Sequence, residues 1–422
     1  MAKPKLALIP ASQGSELFSV LPSSGVGDFD FSRSGRATRI NSQGLIEEVA
    51  NGQSRLNYPM IDGKVVGCPH HILEPSRTNL ITRSEEVNLM TLSSVSVIAD
   101  NTISPDGTLN ADKLTPVSTG FKTVRNFLSS SIGSLYTISF FYKNVDHTKI
   151  GFYDNNTAGS EISINLKTND FSLGSAVTDG GIEYYGNGWY RAYATFPAST
   201  SLISNYLIFR SETNNGNYTA TGSSMYAWGF QVEQGSYPTS YIKSNSGSTT
   251  TRSAETANNS GDASTFNDSE GVLMAEISAL VSGGSTRVIS LSGGSQSVNN
   301  IYISFNTSGG VSCQVLTSGG SVNLSTTNVN QENTNKLLLK YKSNDFSLWI
   351  NGFEVDTDTS SSSTPIGLDR LNFDFGSGSF DFYGKTKQIQ YYNSALTDSE
   401  LEQLTSWTSF TDMAEGQLYT IE

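Results

Sequence analysis

The stretch Tyr136-Thr137-Ile138-Ser139-Phe140-Phe141-Tyr142-Lys143 decides the fold class. Tyr136, Ile138, Phe140 and Tyr142 fall on one side and Thr137, Ser139, Phe141 and Lys143 on the other, the period-two pattern of a strand with one buried face. Met225 to Val232 repeats it, with Tyr226, Trp228, Phe230 and Val232 as the apolar face. Between them Gly186-Asn187-Gly188 supplies the positive φ values of a tight turn ahead of the strand Trp189 to Phe196. Short strands separated by turn signals predict an antiparallel β-sandwich over residues 90–243.

Working outward, residues 244–264 are almost wholly Ser, Thr, Asn, Gly and Ala with scattered charges, which predicts a linker without a core of its own. Residues 265–410 return to strand grammar. Ile301, Ile303 and Phe305 alternate with Tyr302, Ser304 and Asn306, and Leu337, Leu339 and Tyr341 with Leu338, Lys340 and Lys342. One hairpin sequence occurs in both halves, Lys167 to Leu173 and Lys342 to Leu348, and good Asn-Asp turn chemistry suffices to explain it. Gly320 to Thr327 and Thr357 to Thr364 read as exposed polar loops. Thr397 and Glu400 form a capping box ahead of Leu401, Leu404 and Trp407, which predicts one short helix before a tail over 411–422.

Residues 1–89 differ from the rest. They carry 9 Lys+Arg against 9 Asp+Glu, so the net charge of −13 resides downstream, and they hold 6 of the 11 prolines. Proline removes a backbone donor and fixes φ, so this segment is expected to be an extended arm, ordered by burying Leu6, Leu8, Ile9, Phe29 and Phe31 against partner subunits. The expected architecture is therefore all-β: an anchoring arm, two antiparallel jelly-roll sandwiches and a short C-terminal helix.

The chemistry is sparse. A net acidic chain is a poor binder of phosphate backbones, so nucleic acid is not an expected partner. No apolar run approaches the roughly 20 residues needed to span a bilayer, and Leu6 to Ile9 is too short for the core of a secretion signal, so neither membrane insertion nor export is expected. Cys68 and Cys313 fall in different regions and read as free thiols. Cys68-Pro69-His70-His71 opens like a metal site but lacks a second ligand pair, and His147 has no nucleophile elbow to serve. No metal, cofactor or catalytic residue is expected. Glycoside hydrolysis would need two carboxylates on one cleft, and Glu161, Glu183 and Glu276 each stand alone in their local patterns. Asp154-Asn155-Asn156 fits a plain turn as well as a calcium ligand set.

Sugar binding without catalysis calls for outward aromatic rings with polar neighbours. Trp349 faces away from Phe346, Leu348 and Ile350, and Trp189, Arg191 and Tyr193 face away from Tyr190, Ala192, Ala194 and Phe196. These are the candidate carbohydrate-binding residues; the alternative is that a loop or a neighbouring subunit covers the rings.

A set of motifs in the arm resembles the N-terminal region of tailed-phage fibre and head-spike proteins of the Bacteroidetes-phage, crAss-like type: Leu6 to Pro10, Phe18 to Pro22, Gly27 to Arg33, Ala37 to Asn41, Gly44 to Glu47 and Leu73 to Leu80. Ser104 to Gly107, Gly188 to Arg191 and Trp228 to Ile242 resemble a carbohydrate-binding-module-like sandwich, and Gly384 to Asn393 with Leu396 to Leu401 is similar to the close of a concanavalin A-like, laminin-G-type domain. The resemblance implies a structural virion appendage, homo-oligomeric and trimeric, assembled in the host cytoplasm. It would be attached to capsid or tail proteins and would bind host-surface glycans. The rival readings are a purely structural capsid decoration and a capsular-polysaccharide depolymerase.

Overall fold

A computed structural model describes residues 3–9, 12–13, 16–244, 247–294 and 298–416. The chain is nearly all β, and among the described residues the strands pair antiparallel. The final residues 417–422 of the expected tail lie outside the described residues.

In the first sandwich, a sheet built on Thr119–Ser129, Leu202–Arg210, Lys149–Asp154 and Ile162–Asn165 faces a six-stranded sheet. The latter runs in the order Val95–Ile103, Leu109–Pro116, Met225–Gln234, Leu135–Asn144, Tyr190–Pro197 and Asp179–Tyr184. Their shared core holds Tyr136, Ile138, Phe140 and Tyr142, as the alternation predicts, against Phe152, Leu207 and Phe209. The alternation fails in Met225–Gln234. Gly229 takes φ +63° and the register slips between Ser139 and Phe141, so two residues oppose one. This bulge sends Phe230 and Val232 into the core and Trp228 to the opposite face, which simple parity could not foresee. The turn Gly186-Asn187-Gly188 has all three φ values positive, 79°, 52° and 79°.

In the second sandwich, an eight-stranded sheet packs on a five-stranded one around Leu273, Ile289, Ile303, Leu339, Leu348 and Ile389. Gly320–Thr326, expected as a loop, is a strand of the smaller sheet: its polar residues are outward while Val322 and Leu324 are buried. Thr357 likewise belongs to the strand Phe353–Asp358. The paired hairpins both turn on an asparagine at positive φ, Asn169 and Asn344, at 59° and 58°. Thr397 and Glu400 form the capping box of the helix Asp398–Thr405, and a second short helix, Phe410–Gly416, follows where a tail was expected.

The N-terminal segment is not an extended arm. Leu6–Leu8 and His70–Leu73 both pair with Gly384–Tyr392 and so enlarge the second sandwich's sheet, and Phe29–Ser32 pairs with Thr256–Asn258. Leu6, Leu8, Phe29 and Phe31 lie in the second sandwich's own core, while Ile9 is 53% exposed. Proline content does exclude long strands, but strands of three or four residues suffice when the partner strand is already in place. That partner is this same chain, a long-range pairing that composition does not reveal. The expected linker is also built in, since Thr250–Arg252 pairs with Arg77–Asn79.

A buried ionic cluster ties these pieces together. Arg33, Arg55 and Glu74 from the N-terminal segment meet Arg252 and Glu255 from the connecting segment, all 3% exposed or less. Arg33 Nη1 lies 2.8 Å from Glu255 Oε1, Arg55 Nε donates to the same oxygen at 2.8 Å, and Arg55 Nη2 also pairs with Glu255 Oε2. Glu74 Oε2 takes Arg55 at 2.8 Å and Arg252 at 2.7 Å, and the backbone N–H of Ser240, in the first sandwich, donates to Glu74 Oε1 at 2.9 Å. Burial alone would raise both carboxyls, but Arg252 and Arg55 hold Glu74 far below the usual carboxylate range, and Arg55 pulls Glu255 down.

Three expected outcomes test this packing. Glu255→Ala leaves buried guanidinium groups without their counter-charge and should cost about 3–5 kcal/mol in urea unfolding. Because the folded carboxyls titrate below their ordinary 4.5, their contribution is complete above that pH and is lost as pH falls through the depressed values. Acid unfolding should therefore be shallower in Glu74→Gln than in the parent. Deleting residues 1–89 should leave a second sandwich that fails to fold, seen as loss of a cooperative thermal transition, because its core and its sheet lose members together.

Candidate functional site

A sugar platform needs exposed rings on the outer face of a sheet. Trp349 does face away from the second sandwich's core, but the helix Asp398–Thr405 covers it: the ring is 7% exposed among Met274, Leu338, Tyr392 and Leu401, and its Nε1–H donates to Ser347 Oγ at 3.0 Å. Trp189 lies outside the first sandwich's core as the alternation predicts, yet it is 2% exposed in a cluster with Phe141, Trp228, Tyr241 and Ile46 of the N-terminal segment. Arg191 is also buried, over the Phe141 ring and donating to Ser139 Oγ, and Tyr193 is half-buried beside Gly181. Strand parity gave the facing of these residues and could not give what covers them. None of the buried three offers an open sugar platform.

The metal and triad candidates are dispersed. His71 points into the core against Phe31 and Phe373, with burial pushing its imidazole down to about 4; His70 lies on the opposite face. Burial, then Lys385 and Lys387, hold His70 well below its ordinary value. Cys68 is exposed and Cys313 buried, both as free thiols. No group of three metal-ligating residues occurs among the described residues. His147 is engaged with Ser223 Oγ and the Lys149 carbonyl. Asp154 organises a turn, accepting from the N–H groups of Asn156 and Ser204 and from Thr157 Oγ1.

The described residues also enclose cavities and leave a sheet face open. A cavity of about 690 Å³ lies between the segment Tyr58 to Gly67, the strand Asp179–Tyr184 and the second sandwich. Glu183 and Glu276 do share it, but its charges answer one another: Glu276 accepts from Gln388 at 2.7 Å and faces Lys387 at 3.8 Å, and Lys385 faces Glu183 and Glu332. It is a polar seam between packed units.

The open region is the outer face of the first sandwich's larger sheet, which no element of the N-terminal segment joins. Antiparallel register aligns Arg125 with Tyr206 and Tyr206 with Tyr153 across three strands. Outward side chains at these positions oppose inward Val124, Leu207 and Phe152. The Tyr153 and Tyr206 rings are 5.7 Å apart, and the Arg125 guanidinium lies 5.6 Å from the Tyr206 ring centre. At the end of the row Arg210 Nη2 donates to both oxygens of Glu161, at 2.8 and 2.7 Å. Gly151 makes this possible, because a Cβ there would collide with the Glu161 carboxylate and crowd Arg210 Nε. Burial raises the Glu161 carboxyl despite Arg210, and burial followed by Glu161 raises the Tyr153 hydroxyl.

Arg125 differs from Arg210 in its counter-charge. The Nε of each is buried without a hydrogen-bond partner, but Arg210 is paired with Glu161, whereas among the described residues no carboxylate pairs with Arg125. An arginine beside two half-exposed tyrosines, with a second arginine and one carboxylate in the same row, can bind a planar anion while the rings receive an apolar surface. The sequence reading weighed Glu161 alone and missed Arg125, Tyr153, Tyr206 and Arg210. Their signal was available: in Leu202–Arg210 the apolar residues Ile203, Leu207 and Phe209 alternate with Tyr206 and Arg210.

No protein-family model matches the chain, and no curated protein sequence matches it. Similar solved structures include the CBM40 of the Ruminococcus gnavus IT-sialidase, at 19% identity over 35% of this chain and 92% of that one, with a TM-score of 0.31. Domain 4 of AbnA, a GH43 extracellular arabinanase of Geobacillus stearothermophilus, matches at 14% identity over 36% and 73%, with a TM-score of 0.29. Mouse laminin alpha1 domains LG4-5 match at 10% identity over 79% and 96%, with a TM-score of 0.24.

Trp349→Ala should lower stability by about 3–5 kcal/mol by emptying the space beneath the helix. In thermal unfolding this predicts a clear loss of Tm, whereas an exposed platform residue would leave Tm unchanged.

Proposed function

We propose that this protein is a non-enzymatic glycan-binding protein whose first sandwich presents the row Arg125, Tyr206, Tyr153, Glu161 and Arg210 to a sugar bearing a carboxylate or other anionic group. The observation that carries the reading is the uncompensated Arg125. Leaving a guanidinium unpaired and partly desolvated is costly, and an anionic ligand would satisfy it with charge-assisted hydrogen bonds. The tyrosine faces offer the apolar C–H surface of a pyranose ring a place to stack, and the Glu161 carboxylate can accept from a hydroxyl or amide group. One carboxylate locked to arginine does not make the pair of acids that glycoside hydrolysis uses.

Attachment to a phage virion as a trimer is part of the same proposal and is supported by the N-terminal motifs, from Leu6 to Leu80. Leu6, Leu8, Phe29 and Phe31 are not free to mount the chain on a partner, since these side chains are consumed inside one chain. Exposed residues such as Ile9 are the ones left to form a mounting surface. Display in several copies would turn weak single-site contacts into useful avidity.

The test is a binding panel of sialic-acid, uronic-acid and neutral sugars read by calorimetry. Arg125→Ala should weaken binding of an acidic sugar by at least about tenfold, the scale of a lost charge-assisted hydrogen bond, with Tm unchanged. Binding confined to neutral sugars, or indifferent to Arg125, would contradict the proposal.

A further inference from the structure

The row of charged and aromatic groups does not end the usable surface. On the strand Thr119–Ser129, Phe127 follows Arg125 by two positions and so projects from the same face, and it is 53% exposed. Across the register Phe127 lies opposite Ser204, and Leu202, two residues further and 42% exposed, projects from that face beside it. Large apolar side chains on a sheet face are usually covered, yet among the described residues nothing buries these two. The neighbouring polar surface is well ordered: Asn156 Nδ2 donates to the Leu202 carbonyl at 2.8 Å, and the Asn155 N–H to the Ser204 carbonyl at 2.8 Å.

We infer that Phe127, with Leu202 at its side, is a second sugar subsite, so that the ligand is an oligosaccharide whose acidic unit sits over Arg125 and Tyr206 and whose adjoining neutral unit stacks on Phe127. This rests on the glycan-binding reading of the row. Two residues along a strand span roughly 6–7 Å, which sets the ring of Phe127 one sugar away from the Arg125 site. Continuity with the row favours this occupant: the shelf shares a strand with Arg125 and a facing strand with Tyr206. An aromatic face whose cross-strand neighbours are Ser204 and Leu202 suits a neutral pyranose, whose axial hydrogens give it an apolar side.

Affinities of N-acetylneuraminic acid and glucuronic acid would be compared with those of di- and trisaccharides that contain them, for the parent chain, Phe127→Ala and Phe127→Tyr. The parent should bind the better oligosaccharide about tenfold more tightly than its acidic monosaccharide. Phe127→Ala should erase that difference while leaving the monosaccharide affinity and Tm unchanged, and Phe127→Tyr should retain it. An oligosaccharide advantage that survives Phe127→Ala overturns the second subsite but leaves the glycan-binding reading standing, provided that Arg125→Ala weakens binding by about tenfold or more. Absence of binding by the parent to any acidic sugar overturns both. A change of sedimentation coefficient in Phe127→Ala with no change in sugar preference also overturns the subsite, and assigns the shelf to contact between copies of this chain.

Discussion

Five charged side chains that never reach solvent hold this molecule in one piece. Arg33, Arg55, Glu74, Arg252 and Glu255 come from two segments separated by the whole first sandwich, and Ser240 of that sandwich donates into the same cluster. Burying ions is expensive, so a cluster of this kind persists only when each member is met by several partners at once. Here the partners are distributed so that the N-terminal segment, the connecting segment and the first sandwich are each required by the others. The strand pairings of Leu6–Leu8, Phe29–Ser32, His70–Leu73 and Thr250–Arg252 follow from that arrangement, since each short strand is aligned by what lies beside it.

That constraint also distributes the surfaces. The N-terminal segment covers the outer face of the first sandwich's six-stranded sheet, so Trp189, Phe141 and Trp228 become a second small core with Ile46. The C-terminal helix does the same for Trp349. The larger sheet of the first sandwich receives no such cover, and it is there that an unpaired arginine, two tyrosines and an exposed phenylalanine share one face. Function is read from what the fold leaves open.

Much of this was legible in the sequence, and the misses have physical causes. Alternation gave the strands of both sandwiches, the facing of Trp349 and of Trp189, and the capped helix, because period and capping are local properties. It gave the wrong face for Trp228, because one glycine at positive φ shifts parity without any signal in hydrophobicity. The N-terminal segment was misread for a different reason. Charge balance and proline content describe what a segment cannot do alone, whereas the partner strand Gly384–Tyr392 lies more than 300 residues away. The row on the open face was overlooked because its members come from separate strands, and only register brings Arg125, Tyr206 and Tyr153 into line.

Hydrogen exchange with and without a saturating acidic oligosaccharide tests the account most directly. The account requires slowed exchange in peptides covering residues 121–129, 149–163 and 202–210, and unchanged exchange around Trp189 and Trp349. Protection centred on the strands of Trp189 or Trp349, with the open face unaffected, would contradict it.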